Sequence, residues 1–181
     1  MSIPTDRMSN SNEHDHVAGI GEAALKKELA ALLAYWRDKR AGAMARLPSR
    51  QHIDPLDIPG LLPFIFLVDV ERRSPALRFR YRLIGTRLVD RYGFDITGRY
   101  LETLRDRLSY DEILQDYTLC VAQARPVSGE YEYTDGAGRK WHYQRLVLPL
   151  SEDGGTVTML MGANCFAARP VALQPFTGAG I

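Results

Sequence analysis

Residues 64–84 read FIFLVDVERRSPALRFRYRLI, and the fold turns on how this stretch is divided. Its first seven residues, Phe64 to Val70, are apolar at almost every position. Such a run predicts a strand covered on both faces, because a strand with one solvated face alternates. Arg72 to Pro75 supplies a turn. From Leu77 to Ile84 the pattern does alternate: Phe79, Tyr81 and Leu83 fall on one face, Arg78, Arg80 and Arg82 on the other. Two such strands joined by a short polar loop predict an antiparallel hairpin.

After the hairpin the period changes. Thr86 to Tyr92, closed by Gly93, predicts a short helix, and Asp95-Ile96-Thr97-Gly98 a turn before a helical piece around Tyr100 to Leu104. Ser109-Tyr110-Asp111-Glu112 fits a capping box, in which Ser and Glu each satisfy an exposed backbone N–H. Ile113, Tyr117, Cys120 and Ala124 then keep helical spacing until Pro126. Strands are predicted again over Val127–Thr134, Arg139–Leu148 and Thr156–Phe166, separated by Gly-rich turns. Five strands split two and three around a helical insert make an α+β domain with an antiparallel sheet.

Ahead of the hairpin, Glu22 to Arg40 predicts an amphipathic helix, taken to residue 41 at most. Leu25, Leu29, Leu32 and Trp36 form its apolar stripe, widened by Leu33. The stripe is the natural cover for the second face of the sheet, or for the sheet of a second copy. Pro48, Pro55, Pro59 and Pro63 then forbid a long helix and predict an extended crossing segment. Residues 1–21 read as a polar, disordered leader, residues 22–168 as a single domain, and residues 169–181 as a flexible tail.

With 45% hydrophobic and 25% charged residues, the 181-residue chain is long enough to bury a core of its own. A formal net charge of +1 gives no electrostatic reason to expect nucleic acid or an anionic membrane. The sequence holds no apolar run near the roughly 20 residues that span a bilayer. Cys120 and Cys165 make no disulfide framework, and the expected setting is the cytoplasm, with both thiols free.

The element order resembles the PAS fold, and particular residues add to the resemblance. Phe79 to Thr86 (FRYRLIGT) followed by Asp95 to Leu101 (DITGRYL) is similar to a PAS strand-to-helix junction and the turn before its short central helix. Arg145 to Leu150 and Val157 to Gly162 resemble the two closing strands. Tyr35-Trp36-Arg37, Leu47-Pro48-Ser49-Arg50 and Ile53-Asp54-Pro55 resemble the lead-in of stand-alone bacterial single-PAS-domain proteins. The likeness runs from about residue 30 to residue 166. It implies a non-catalytic sensory or regulatory module, commonly a homodimer, with a variable cavity between sheet and helices and a signalling protein as partner.

On that resemblance, the cofactor expectations are negative. A haem-binding PAS domain usually draws a histidine from the long helix before strand three, and Ser109 to Arg125 has none. Gly162-Ala163-Asn164-Cys165-Phe166 echoes the Gly-x-Asn-Cys-Arg core of photosensory flavin domains, but it ends the last strand and lacks the arginine, so covalent flavin is not expected. His14, His16, His52 and His142 make no metal-ligand set.

The candidate pocket is apolar with a few orienting polar groups, suited to a small apolar ligand. Phe79, Tyr81, Tyr117, His142 and Gln144 are its expected lining, although rings at these spacings also read as plain core. Glu130 and Glu132 share one strand face and are expected to pair across the sheet with basic residues such as Arg145. Leu25, Leu29, Leu32 and Trp36 are the candidate interface. The alternative is a small cone-shaped isomerase or dehydratase using His142 and a carboxylate.

Overall fold

In the computed structural model, which describes residues 18–43 and 46–171, the expected hairpin forms. β1 is the short pair Ala18–Gly19, α1 is Lys27–Gly42, β2 is Ile65–Arg73 and β3 is Ala76–Ile84. α2 (Thr86–Tyr92) and α3 (Tyr110–Gln123) follow, with a 3-10 turn at Leu101–Leu104 between them. β4 (Val127–Thr134), β5 (Lys140–Leu150) and β6 (Met159–Phe166) close the sheet.

The strand order is β1-β4-β5-β6-β2-β3. β6 returns to pair with β2, from Ile65 opposite Ala163 to Asp69 opposite Met159, which makes the five long strands antiparallel throughout. Both sheet faces are covered. α2, the Leu101–Leu104 turn and α3 lie on what we call the inner face, and α1 packs on β5 and β6 from the outer face. Ile65, Phe66, Leu67 and Val68 are therefore all buried, as an unbroken apolar strand requires.

Ala18–Gly19, read from sequence as the end of a leader, adds a sixth strand, parallel to Val127–Ser128 of β4. The Ser128 hydroxyl donates to the Ile20 carbonyl at 2.9 Å. Gly19 has φ +104°, and a Cβ there would lie 1.7 Å from the Ser128 carbonyl oxygen, so only glycine allows this approach. Two residues carry no periodicity, which is why sequence reasoning missed the strand. The rest of the expected leader, with His14 and His16, and the tail from residue 172 lie outside the described residues.

The N-terminal helix also starts later than its pattern suggests. Glu22–Ala24 is a 3-10 turn, Leu25 and Lys26 are extended, and the α-helix begins at Lys27. Leu29, Leu32, Leu33 and Trp36 are fully buried against the chain's own sheet, and the Trp36 indole N–H donates to the Pro149 carbonyl at 2.9 Å. In the single chain the residues expected at an interface, Leu29, Leu32 and Trp36, are buried on a helix that packs on β5 and β6 of the same sheet. Leu25 is partly buried on the same core.

The capping box at Ser109 does not form. Ser109 does precede α3, yet its side chain accepts no helix N–H; its hydroxyl instead donates to the Glu132 carbonyl at 3.4 Å. Among the described residues, no helix is long and apolar enough to cross a membrane.

Candidate functional site

Alternation along β3 places Phe79 and Tyr81 on the inner face, as expected, and Phe66 of β2, two residues before the Val68 that stands opposite Tyr81, brings its ring to 6.4 Å from the Tyr81 ring. Helical spacing brings Tyr117 of α3 down onto the three. Its ring centroid lies 5.3 Å from Phe79 and 5.9 Å from Phe66, and its hydroxyl is 3.2 Å from that of Tyr81. All four rings are buried. Loss of hydration disfavours the phenolate, so the Tyr81 phenol is pushed up to about 12 and Tyr117 well above its ordinary value. Both are hydrogen-bonded neutral phenols rather than proton donors for chemistry at neutral pH.

Gly162 of β6 lies under this cluster. A Cβ there would come within 2.2 Å of the Phe66 ring and 2.5 Å of the Leu146 carbonyl oxygen. The glycine that echoes a flavin motif is thereby accounted for by close packing of Phe66 on the strand.

A polar group lies next to the rings on the same face. The Arg145 guanidinium of β5 donates to Asp116 Oδ2 of α3 at 2.6 Å, and the Tyr131 hydroxyl donates to the same carboxylate at 2.6 Å. A second Arg145 nitrogen bonds the Tyr143 hydroxyl, and the guanidinium lies over the Tyr131 ring, 4.4 Å from its centroid. Arg145 is 1% exposed. Burial opposes its charge, but Tyr143 and Asp116 more than offset this and hold its pKa above the ordinary arginine value.

The expected pairing of Glu130 and Glu132 with Arg145 is corrected by one residue of register. Arg145 stands opposite Gly129 and points inward, whereas Glu130 stands opposite Gln144 and Glu132 opposite His142. Strand side chains alternate, so a shift of one residue moves a partner through the sheet.

The same alternation divides the expected pocket. Phe79, Tyr81 and Tyr117 meet inside; His142 and Gln144 lie on the outer face. The Gln144 amide is buried and bridges to the N-terminal segment: it accepts from the Lys26 N–H at 2.7 Å and donates to the Ala24 carbonyl at 2.9 Å and to Glu130 at 2.7 Å. It satisfies the backbone groups left free where the chain is extended at Leu25 and Lys26. His142 has a side chain 64% exposed, with Nδ1 3.7 Å from Glu132. It borders a hollow of about 120 Å³, with Lys26, Glu130, Tyr143 and Gln144. The histidine–carboxylate pair of the enzyme reading is thus an exposed surface contact.

Sequence reasoning overlooked Asp116, Tyr131 and Tyr143. Their signal was present: Asp116 shares the buried face of α3 with Ile113, Tyr117 and Cys120, and Arg145 interrupts the apolar run of β5. One acid and one base on otherwise apolar faces is the pattern of a buried pair. Neither thiol is activated. Burial pushes Cys120 well above its ordinary value and Cys165 up to about 12. Among the described residues, no group of three or more His, Cys, Asp or Glu is placed to hold a metal ion.

No curated protein matches the chain. Solved structures similar to it include a light-oxygen-voltage domain from a study with a flavin analogue, 11% identical with a TM-score of 0.47, over 63% of this chain and 84% of that one. Another is the light state of the blue-light photoreceptor Aureochrome1 LOV, 11% identical with a TM-score of 0.45, over 72% and 88%. A third is the photo-excited blue-light photoreceptor Vivid, 14% identical with a TM-score of 0.44, over 71% and 92%. The family model described as PAS domain matches residues 25–165, from the start of the N-terminal helical region to the last strand. With that match laid over an antiparallel sheet whose helical insert follows the second of its five long strands, the chain belongs to the PAS domain family.

Proposed function

We propose that this chain is a non-catalytic regulatory module of signal transduction that acts through protein–protein association. The observation that carries this reading is the close packing of four rings and a hydrogen-bonded polar group between sheet and helices. Phe66, Phe79, Tyr81 and Tyr117 occupy the space between sheet and helices, and the Asp116–Arg145–Tyr131 group beside them is mutually hydrogen-bonded. A ligand entering there must displace close-packed rings and leave buried polar groups without partners, each at a cost of about 1–3 kcal/mol. The signal therefore arrives at the surface, and the response is a change in association with a signalling protein. A homodimer belongs to the same proposal. With Leu29, Leu32 and Trp36 packed on their own sheet, it forms through another surface.

Native mass spectrometry and an absorption spectrum of the purified full chain test the reading. The expected result is no small molecule held in the interior and no visible absorption. Stoichiometric flavin, haem or other ligand in the interior would overturn it. Light scattering on the same sample is expected to give a dimer mass, and a monomer at every concentration would remove the homodimer.

A further inference from the structure

A cleft opens at the rim of the sheet, away from the ring cluster between sheet and helices. It is a cleft of about 630 Å³ lined by α2 (Arg87, Leu88, Asp90, Arg91), the end of β6 (Asn164 to Phe166), Phe64, Lys26 just before α1 and Glu28 in its first turn. Its origin is topological. β2 begins at Ile65, opposite Ala163, so β6 residues beyond Ala163 pair with β5 on one side only. The unpaired side opens into the cleft.

Three features there point to one ligand chemistry. Arg87 lies over the Phe64 ring at 4.9 Å, and Arg91 over Trp141 at 3.6 Å and Phe166 at 5.0 Å. Neither makes an ion pair among the described residues, whereas Arg78, Arg82 and Arg139 each hold a carboxylate. A guanidinium resting its face on a ring keeps its N–H edges free for a bidentate carboxylate. Asn164, which borders the cleft, is 5% exposed; its Nδ2 donates to the Tyr92 hydroxyl at 2.8 Å, while its Oδ1 is buried without a partner. A buried acceptor of this kind calls for a donor. Phe64, Leu88 and Phe166 supply apolar wall between these polar points.

We infer that the cleft binds a small carboxylate carrying an apolar body and one N–H or O–H donor. Arg87 and Arg91 hold the carboxylate, Phe64, Leu88 and Phe166 flank the body, and the donor reaches Asn164 Oδ1. Lys26 and Glu28 border the same cleft, and Gln144 holds the Lys26 N–H, so an occupant touches the segment that anchors α1. This is an input site, and it goes beyond the association reading, which rests on the interior.

The test uses three probes on the full chain, followed by isothermal titration and ¹⁵N-resolved spectra. These are 4-hydroxyphenylacetate, phenylacetate (which lacks the donor) and tyrosol (which lacks the carboxylate). The expected order is 4-hydroxyphenylacetate tighter than phenylacetate by about tenfold, the worth of one hydrogen bond to a buried acceptor, with tyrosol failing to bind. Binding should shift the Asn164 side-chain amide and the Lys26 backbone amide. Arg87→Gln, at an exposed position, should weaken both carboxylates at least tenfold while leaving the thermal midpoint unchanged. The proposal is overturned if no carboxylate binds, if tyrosol binds equally well, if Arg87→Gln leaves affinity unchanged, or if inorganic phosphate binds as tightly as the carboxylates. None of these results alters the case made from the packed rings between sheet and helices.

Discussion

Arg145 and Asp116 meet 2.6 Å apart between β5 and α3, both buried, and they bind the long helix to the middle of the sheet. Tyr131 and Tyr143 complete the shell around them. A pair so enclosed holds its geometry through mutual satisfaction, because either charge alone has no solvent to fall back on.

Asp116→Ala should therefore destabilise the fold by about 3–5 kcal/mol, measured by urea unfolding, since it leaves the guanidinium buried and unpaired. The double variant Asp116→Leu with Arg145→Met removes both charges and should recover most of that loss. A single variant costing under about 1 kcal/mol would show that water reaches Arg145.

Gln144 and His142 are neighbours on one face of β5 with opposite expectations. Gln144→Leu orphans the Lys26 N–H and the Ala24 carbonyl, so it should cost about 1–3 kcal/mol and speed hydrogen exchange at Lys26. His142→Ala, at an exposed site, should stay within about 0.5 kcal/mol. Equal effects would sink the role assigned to the glutamine.

Tyr117→Ala should empty the centre of the ring cluster. The expected cost is about 3–5 kcal/mol, the range for large aromatic truncations. The variant should also take up small aromatic molecules such as indole, seen as a raised melting temperature in their presence, while the parent chain does not respond. A parent chain stabilised by indole to the same extent would contradict a filled interior.

At alkaline pH the buried phenols set the limit of stability. The folded chain holds Tyr81 neutral up to about 12, and an unfolded tyrosine ionises near 10. The folded pKa is the higher one, so this contribution is complete below about pH 10 and is lost as pH rises from there towards 12. Tyrosinate absorbance should rise in two stages, exposed rings first and the interior ones together with unfolding. A single stage centred near 10 with the fold intact would refute the enclosure.

Much of the architecture was legible in the chain because it rests on short-range periodicity. The unbroken apolar run at Phe64 to Val70 announced a strand with two covers, and the Leu29, Leu32 and Trp36 stripe announced one of the covers. The change to helical spacing at Ile113 and Tyr117 placed the insert. Phe79, Tyr81 and Tyr117 were recognised as companions because each lies on the apolar face of its own element.

What the tertiary structure decided was which side of β5 each residue occupies and how the two ends of the sheet are finished. Strand side chains alternate, so only the pairing register tells that Arg145 turns inward to Asp116 while His142 and Gln144 turn outward. The two-residue strand at Ala18–Gly19, the break in the helix at Lys26 and the cleft beside Asn164 depend on contacts across long separations in the chain. Periodicity reports the face a residue presents within its own element. It carries no information on which distant backbone will arrive to meet that face, and it is this meeting that fills the interior and leaves the rim open.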